Sequence, residues 1–224
     1  MSPPFTGPSL SESLAAYADE LRSSGSPFAG EYDSLIARLQ AGNLGELAPN
    51  VGEVMPPFML PDQNGRIVTL AECLARGPVV ISFNRGHWCP FCRIELSALD
   101  DAHEELAGLG ARVVSIMPDR QPYTRQVAAS LRHAVTILSD MDNDYALSLG
   151  LAMWVGKSVR DLMIEDALNL SEYHGSDAWV LPLPATFVVA ANGRVAARYV
   201  NPDFRERMEV GDVLAALRRD ARGC

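Results

Sequence analysis

The sequence predicts an α/β fold with a central mixed β-sheet flanked by helices. Along the chain, continuous apolar runs alternate with segments whose apolar residues recur at helical spacing. This pattern is typical of parallel strands joined by crossover helices. Near the end of the chain, two strand-like runs flank Asn192-Gly193, a dipeptide typical of hairpin turns. Parallel crossovers that end in an antiparallel hairpin predict a mixed sheet.

A helical extension is predicted before this domain. Apolar residues recur at helical spacing in a first stretch near the start of the chain and in a second stretch over residues 32–40. Residues 41–58 are typical of an extended connector. We therefore divide the chain into an extension and connector over 1–50 and a main domain over 51–224. The apolar residues that define the first helix are Leu10, Leu14, Tyr17 and Leu21.

The main domain begins with a hairpin, because Asn64-Gly65 tolerates the positive backbone angles of a tight turn. We expect irregular structure at about 151–180, with one amphipathic helix through Val159 and Met163. The other predicted elements are strands at 79–83, 111–117 and 135–138, helices at 123–132 and 145–149, two strands around 192–193, and a helix at 210–219.

Composition limits the possible functions and partners. A formal net charge of -9 and a pI near 4.9 argue against nucleic acid and an anionic membrane as partners. No run approaches the roughly 18 apolar residues of a membrane span, and the first residues lack a basic region followed by an apolar core. With four cysteines in 224 residues, a secreted disulfide scaffold is not expected. We expect a cytoplasmic protein.

The segment VVISFNRGHWCPFC places two cysteines at the start of a predicted helix. Cys89 would face the unpaired N–H groups and the positive end of the helix dipole, which favour a thiolate. Arg85 and His87 could add positive potential and lower the thiol pKa further. Cys89 is therefore the predicted nucleophile.

Cys92 follows one helical turn later, a spacing that brings its sulfur beside that of Cys89. Attack by the Cys89 thiolate on a disulfide would give a mixed disulfide that Cys92 resolves. Attack on a peroxide would give a sulfenic acid that Cys92 captures. Two alternatives are a structural zinc site and inert buried cysteines. Zinc would need a second ligand pair, and Cys73 and Cys224 are isolated.

The motif WCPFCRIEL after a strand that ends in Phe resembles the thioredoxin superfamily, and 51–219 resembles the alkyl hydroperoxide reductase C and thiol-specific antioxidant family, a peroxiredoxin-like group. The resemblance implies a thioredoxin-like fold and a thiol-dependent antioxidant oxidoreductase that reduces peroxides. A thioredoxin-type or small-thiol reductant would recycle it. No glycine-rich phosphate loop or haem-attachment CxxCH occurs, so we expect no cofactor beyond the Cys89-Cys92 dithiol.

Three further site residues are predicted, two of them from the resemblance. Pro184 matches the superfamily's cis-proline, which would lie opposite Cys89 and leave the Leu183 backbone free to pair with a bound thiol or peptide. Glu95 matches the acid of WCxxCxxE reductases, which helps to move the proton of the second cysteine, although a solvated acid is the alternative. Trp88 would shield the cysteine pair, or serve only as core packing.

Two departures from the family leave the substrate open. Typical peroxiredoxins have a threonine three residues before the reactive cysteine and an arginine on a later strand, where this chain has Gly86 and Pro184. Arg85 or His87 would have to replace them. A protein disulfide reductase and a redox-sensing binding module therefore remain alternatives, as does a homodimer in which Cys224 resolves Cys89 of the other subunit.

Overall fold

The computed structural model describes residues 8–133 and 135–222 of the chain. Helices and short strands alternate through most of these ranges. In chain order they are α1 (Leu10–Ser23), α2 (Pro27–Ala41), β1 (Met59–Pro61), β2 (Ile67–Thr69), α3 (Leu70–Leu74), β3 (Val79–Phe83), α4 (Pro90–Asp101), α5 (His103–Gly108), β4 (Arg112–Met117), α6 (Gln121–Ser130), β5 (Thr136–Ser139), α7 (Asp144–Ser148), β6 (Ala152–Trp154), α8 (Lys157–Glu165), α9 (Leu170–His174), β7 (Val180–Pro182), β8 (Ala185–Val189), β9 (Val195–Val200) and α10 (Val210–Asp220).

A five-stranded mixed sheet forms the centre of the fold, with strand order β5-β4-β3-β8-β9. The first three strands are parallel, whereas β8 pairs antiparallel with β3 and β9. Every residue of β3 and β8 is buried, which explains their largely apolar sequences. Along β3, Ile81 and Phe83 enter one core cluster and Val80 enters another, because successive side chains point to opposite faces. The predicted mixed α/β class is confirmed.

The two N-terminal helices are part of the main hydrophobic core. Leu10 and Leu14 of α1 are buried in the cluster that also contains Cys89. The rings of Tyr17 and Phe91 meet edge to face, with centroids 4.9 Å apart. Both predicted N-terminal helices are therefore present, and the first packs directly against the helix that carries the cysteines.

These helices are amphipathic and short. α1 has 14 residues and α2 has 15, and each buries one stripe while its opposite face is in solvent. In the part of the chain that the structure describes, no helix combines the length and apolar character needed to cross a bilayer. The buried residues of α2 are Tyr32, Leu35, Ile36 and Leu39.

The segment 151–180 is regular, which corrects the expectation of an irregular insertion. β6 and β7 pair antiparallel, and α8 and α9 lie between them. The predicted amphipathic helix is confirmed as α8, with Val159 and Met163 buried. Strands of three residues are too short for a period of two to stand out in a sequence.

The connector before β1 is folded rather than extended, which corrects the prediction there. Residues 42–53 form successive turns, and the Ala48 N–H donates to the Gly45 carbonyl at 3.2 Å. The Arg198 guanidinium on β9 donates to the carbonyl groups of Gly45 and Ala48. A side chain at Gly45 would collide with Val200, so glycine permits this close approach to the sheet.

The predicted hairpin at Asn64-Gly65 is confirmed, with a longer loop than the two-residue turn expected. The Asp62 N–H donates to the Arg66 carbonyl, and the Asp62 carboxylate accepts from the N–H groups of Asn64 and Arg66. Gly65 has a φ of +82°, which a glycine adopts without strain. The aspartate therefore helps to set the loop length.

Leu14→Ala should lower the free energy of unfolding by about 2–4 kcal/mol, because its side chain is 3% exposed in a packed core. Leu147→Ala on α7, where the leucine is 63% exposed, is the control and should change stability by less than about 0.5 kcal/mol. Urea denaturation measures both. Equal stability of Leu14→Ala and the wild type would contradict the inclusion of α1 in the core.

Candidate active site

The two cysteines lie where β3 passes into α4 through a short loop. The loop is held to the sheet by the Asn84 N–H, which donates to the Ile116 carbonyl at 2.8 Å. Cys89 is the N-cap residue of α4, and Pro90 occupies the first helical position, where its missing N–H costs no hydrogen bond. The predicted position of Cys89 at a helix start is confirmed.

The two sulfur atoms are in contact and fully sheltered from solvent. Cys89 is 0% exposed and Cys92 is 1% exposed. Both are free thiols, and Cys92 Sγ donates to Cys89 Sγ across 2.8 Å. The Arg85 N–H in turn donates to Cys92 Sγ at 3.4 Å. Since a disulfide bond is about 2.05 Å long, a small local movement would join the pair.

Arg85 is the charged partner of Cys89. Its Nε and one terminal nitrogen donate to Cys89 Sγ at 3.3 and 3.2 Å. The guanidinium is 1% exposed and lies over three aromatic rings, at 4.1 Å from Phe204 and 5.4 Å from Tyr32 and Trp88. The rings compensate in part for the water that a buried cation loses.

These contacts separate the acidities of the two thiols. Burial alone raises the pKa of Cys89, but the hydrogen bond from Cys92 and the charges of Arg85 and Arg207 outweigh it and lower that pKa to about 5. Burial, together with the adjacent Cys89 thiolate, raises the pKa of Cys92 well above its usual value. At neutral pH the pair therefore holds one negative charge, on Cys89.

A buried ion pair lies beneath Cys92. Glu95, one turn further along α4, accepts from Arg207 Nε at 2.9 Å and from the Thr186 hydroxyl at 2.9 Å. A terminal nitrogen of Arg207 lies 3.7 Å from Cys92 Sγ. Burial raises the pKa of the Glu95 carboxyl, although Arg207 and Thr186 oppose the rise. Glu95 is 1% exposed, so the solvated-acid alternative is wrong.

Arg207, Thr186, Tyr32 and Phe204 are the site residues that the sequence did not reveal. Arg207 lies 115 positions after Cys92, beyond the last strand. Its neighbours in the sequence, DFRERME, are mostly charged, so nothing local marks Arg207 as a buried residue. Its contact with Cys92 depends on long-range packing.

His87 does not contact the sulfur pair. Its backbone N–H and its Nδ1 both lie against Asp119 Oδ2, at 2.5 and 3.2 Å, and its ring stacks on Tyr123 at 4.5 Å. Asp119 Oδ1 is 3.4 Å from Nε2 of His174. Of the two residues predicted to add positive potential, the structure brings only Arg85 to Cys89.

The peptide bond before Pro184 is trans, which corrects the predicted cis-proline; none of the peptide bonds in the described ranges is cis. The Leu183 N–H donates to the Leu151 carbonyl at 2.5 Å, which extends the pairing of β6 with β7. The backbone therefore runs extended from β7 into β8. Because that N–H is already bonded, Leu183 does not offer it to a bound thiol or peptide.

Gly86 cannot be replaced by the threonine of typical peroxiredoxins in this backbone. Its φ is +141°, and an added Cβ would lie 2.5 Å from Trp88 Nε1 and 3.0 Å from Asp119 Oδ1. Trp88 is half-buried, with its ring beside Arg85, so it does cover the cysteine loop. The observed position of the Trp88 ring therefore requires glycine at position 86.

Cys73 has no part in this site. Cys73 is buried in α3, as predicted for a small apolar side chain, and burial raises its pKa. The alternative role of Cys224 falls outside the described residues. Over residues 8–133 and 135–222, no group of three or more His, Cys, Asp or Glu side chains is arranged to hold a metal ion.

Arg85→Met should raise the Cys89 pKa from about 5 toward the value of a free thiol, about 8.5, because it removes one of the two charges that, with the hydrogen bond from Cys92, offset burial. Thiolate absorbance at 240 nm as a function of pH measures the shift. Arg93→Met, on the exposed face of α4, is the matched control and should leave the titration unchanged. An unshifted midpoint in Arg85→Met would mean that another group holds the thiolate.

Solved structures with the same fold include peroxidoxin BcpB from Mycobacterium tuberculosis, at a TM-score of 0.59 and 24% identity, covering 76% of this chain and 97% of that chain. A thiol peroxidase from Chromobacterium violaceum gives a TM-score of 0.57 at 17% identity, with 80% and 91% covered. At these identities the likeness concerns the fold.

Sequence relatives point the same way. Chloroplastic peroxiredoxin Q of Sedum lineare is 28% identical over 166 residues, which is 74% of this chain and 76% of that protein. Peroxiredoxin Bcp of Escherichia coli K12 is 30% identical over 107 residues, covering 48% and 67%. The AhpC/TSA family model matches residues 51–198, more than half of the chain. This chain therefore belongs to the AhpC/TSA family.

Proposed function

We propose that this member of the AhpC/TSA family is a thiol-dependent peroxidase in which Cys89 attacks the peroxide and Cys92 resolves the product. One observation carries the proposal: the buried Arg85 guanidinium donates two N–H groups to Cys89 Sγ, and Cys92 Sγ lies 2.8 Å from the same sulfur. The site therefore has a thiolate, a cation and a second thiol within contact distance.

In the first step the Cys89 thiolate attacks the terminal oxygen of the peroxide. A sulfur–oxygen bond forms, the O–O bond breaks, and the departing alkoxide or hydroxide takes up a proton to leave as alcohol or water. Cys89 is oxidised by two electrons to a sulfenic acid. Arg85 takes the role of the absent family threonine and arginine, because its N–H donors can follow the negative charge from sulfur to oxygen.

In the second step Cys92 attacks the sulfenic sulfur of Cys89. The disulfide bond forms, the S–O bond breaks, and the hydroxide that leaves takes the Cys92 proton to become water. Burial and the Cys89 charge together keep Cys92 protonated in the reduced site, and the charge is gone once Cys89 is a neutral sulfenic acid. Arg207, 3.7 Å from Cys92 Sγ, then favours the Cys92 thiolate.

Recycling needs two electrons and two protons from outside the chain. We propose that a thioredoxin-type or small-thiol reductant supplies them by opening the Cys89–Cys92 disulfide. A reducing cytoplasmic location would suit this cycle. The dithiol is then the only redox group that the proposal requires.

Burial makes a small substrate the better candidate. The sulfur of Cys89 is 0% exposed, beneath Trp88 and the N-terminal helices, so a disulfide in a folded protein would have to displace these elements before reaching it. The Leu183 N–H, which would pair with such a protein, is bonded to Leu151. Both observations favour a peroxide over a protein disulfide.

The proposal is tested by mixing reduced Cys92→Ser protein with hydrogen peroxide and trapping the product with dimedone. We expect one dimedone adduct, at Cys89, because the resolving thiol is gone. Cys73→Ser is the matched control and should form the Cys89–Cys92 disulfide without an adduct. The peroxidase proposal would be contradicted if the wild-type protein did not react with hydrogen peroxide and yet rapidly reduced a model protein disulfide.

Arg207→Lys should slow disulfide formation by roughly tenfold at pH 7, because the shorter reach of lysine weakens the positive field that favours the Cys92 thiolate. Oxidation of Cys89 should slow less, so that sulfenic acid accumulates. Raising the pH should restore the second step, because Cys92 then ionises without help. Rapid alkylation followed by mass spectrometry separates the two steps.

Arg218→Lys is the control for this substitution, since Arg218 lies on the surface of α10 and pairs with Glu105. It should change neither step. Equal slowing of both steps by Arg207→Lys, with no recovery at high pH, would indicate that Arg207 acts only on the fold.

A further inference from the structure

The burial of the two sulfur atoms leaves no direct path for the thiol that must reduce them. Cys89 is 0% exposed and Cys92 is 1% exposed. The N-terminal helices α1 and α2 pack into the same core cluster as both cysteines. Recycling by an outside thiol therefore requires that part of the surrounding structure moves once Cys89 has been oxidised.

Oxidation removes the charge with which Arg85 is paired. The disulfide has two electrons and one proton fewer than the thiolate–thiol pair, so the negative charge of the sulfur pair is lost. Over residues 8–133 and 135–222, both side-chain hydrogen bonds of Arg85 go to Cys89 Sγ, and its guanidinium forms no ion pair with a carboxylate. The oxidised site would therefore contain a buried cation without a counterion, which is strongly unfavourable.

The helix α2 supplies one of the three rings that enclose this cation. The ring of Tyr32 lies 5.4 Å from the Arg85 guanidinium and is 7% exposed, and the other two rings are those of Trp88 and Phe204. If α2 moved outward, water would reach the guanidinium and accept the hydrogen bonds that the thiolate accepts in the reduced protein. Movement of α2 thus relieves the unpaired charge.

Few polar contacts hold α1 and α2 to the rest of the protein. In the part of the chain that the structure describes, no backbone hydrogen bond joins either helix to a strand or to another helix. Side-chain contacts at or near the surface join Glu209 to the first N–H groups of α1, Arg38 to the Trp154 carbonyl, and Arg205 to Asp33. Exposed contacts of this kind contribute little to stability.

The packing around α1 is also interrupted by cavities. Cavities of about 370, 400, 690 and 790 Å³ each have α1 side chains in their lining. A helix bordered by cavities loses fewer contacts when it moves than a helix enclosed on all sides. The segment that carries Phe204 is instead anchored by the buried Arg207–Glu95 ion pair. α1 and α2 are therefore the surroundings that move most easily.

We propose that α1 and α2 form a redox-controlled cover, which the Cys89 thiolate holds closed through Arg85 and which is released when the Cys89–Cys92 disulfide forms. Release exposes the disulfide to the thiol that reduces it. The inference rests on the proposed function, because it concerns the recycling step of that cycle. Both helices precede residues 51–198, so the cover lies outside the range matched by the family model.

Hydrogen exchange followed by mass spectrometry tests the cover. The disulfide is formed with diamide, which accepts two electrons and two protons to become a hydrazine, so the test does not depend on the peroxidase reaction. The amides of α1 and α2 should exchange at least about tenfold faster in the oxidised protein than in the reduced one. The amides of β3 and β8 are the internal control and should exchange equally in both states.

Two serine substitutions separate the effect of the charge from that of the disulfide. Cys89→Ser replaces the thiolate with a neutral hydroxyl, so α1 and α2 should exchange fast without any oxidant. Cys92→Ser is the matched control, because it keeps the Cys89 thiolate and a hydroxyl that donates to it, and it should keep the slow exchange of the reduced wild type. Unchanged exchange of β3 and β8 shows that each variant is folded.

The outcomes separate this inference from the function on which it rests. Equal exchange of α1 and α2 in the two redox states, or slow exchange in Cys89→Ser, would overturn the cover. Faster exchange confined to α4 would overturn it as well, because the moving element would then be the helix that carries the cysteines. If hydrogen peroxide does not oxidise the protein but the diamide-formed disulfide releases α1 and α2, the peroxidase proposal fails and the cover stands.

Discussion

The contact between the buried guanidinium of Arg85 and the sulfur of Cys89 is the interaction on which the rest of the structure depends. Neither charge would be stable alone at this depth, because burial opposes both the thiolate and the cation. Together, with two N–H donors on the sulfur and three aromatic rings around the guanidinium, they hold a charge pair that water does not reach. The free energy needed to bury this pair comes from the packing of the fold. The result is a thiolate at Cys89, which is the nucleophilic form of the thiol.

The two N-terminal helices contribute side chains that surround this charge pair. Tyr32 of α2 and Phe204 pack against each other edge to face at 5.0 Å, and both lie over the Arg85 guanidinium. Tyr17 of α1 packs on Phe91 in the cysteine motif. Removing these helices would expose the cation to water and weaken the field on the sulfur. Stability and reactivity are thus coupled through the same few side chains.

The second ion pair, Glu95 with Arg207, places a positive charge near Cys92, where the proposed second step needs a thiolate. In the proposed cycle, burial and the Cys89 charge together keep Cys92 protonated at first. When oxidation removes that charge, Arg207, 3.7 Å from Cys92 Sγ, is left to favour the Cys92 thiolate. The field that first activates one sulfur then activates the other. No large movement is needed, because the sulfur atoms are already in contact.

Much of this arrangement could be predicted from the sequence where the signal is local. The uninterrupted apolar run at 79–83 and the CxxC spacing located β3, the start of α4 and the sulfur pair, because strand burial and helix geometry follow from neighbouring residues. Arg207 could not be found in this way, since it reaches Cys92 through tertiary packing.

Pro184 shows the limit of resemblance as a guide to backbone geometry. The prediction of a cis bond rested on motif context, whereas the bond is trans and the preceding Leu183 N–H pairs with the Leu151 carbonyl. β6, which brings Leu151 to that position, is too short to be detected in the sequence.

The most direct test of the account is a titration of the two active-site sulfurs one by one. The ¹³Cβ chemical shifts of Cys89 and Cys92 in reduced, selectively labelled protein report which thiol ionises at each pH. The account predicts a midpoint at about pH 5 for Cys89 and a protonated Cys92 throughout the neutral range. Ionisation of Cys92 before Cys89, or two thiols that both remain protonated at pH 7, would contradict it.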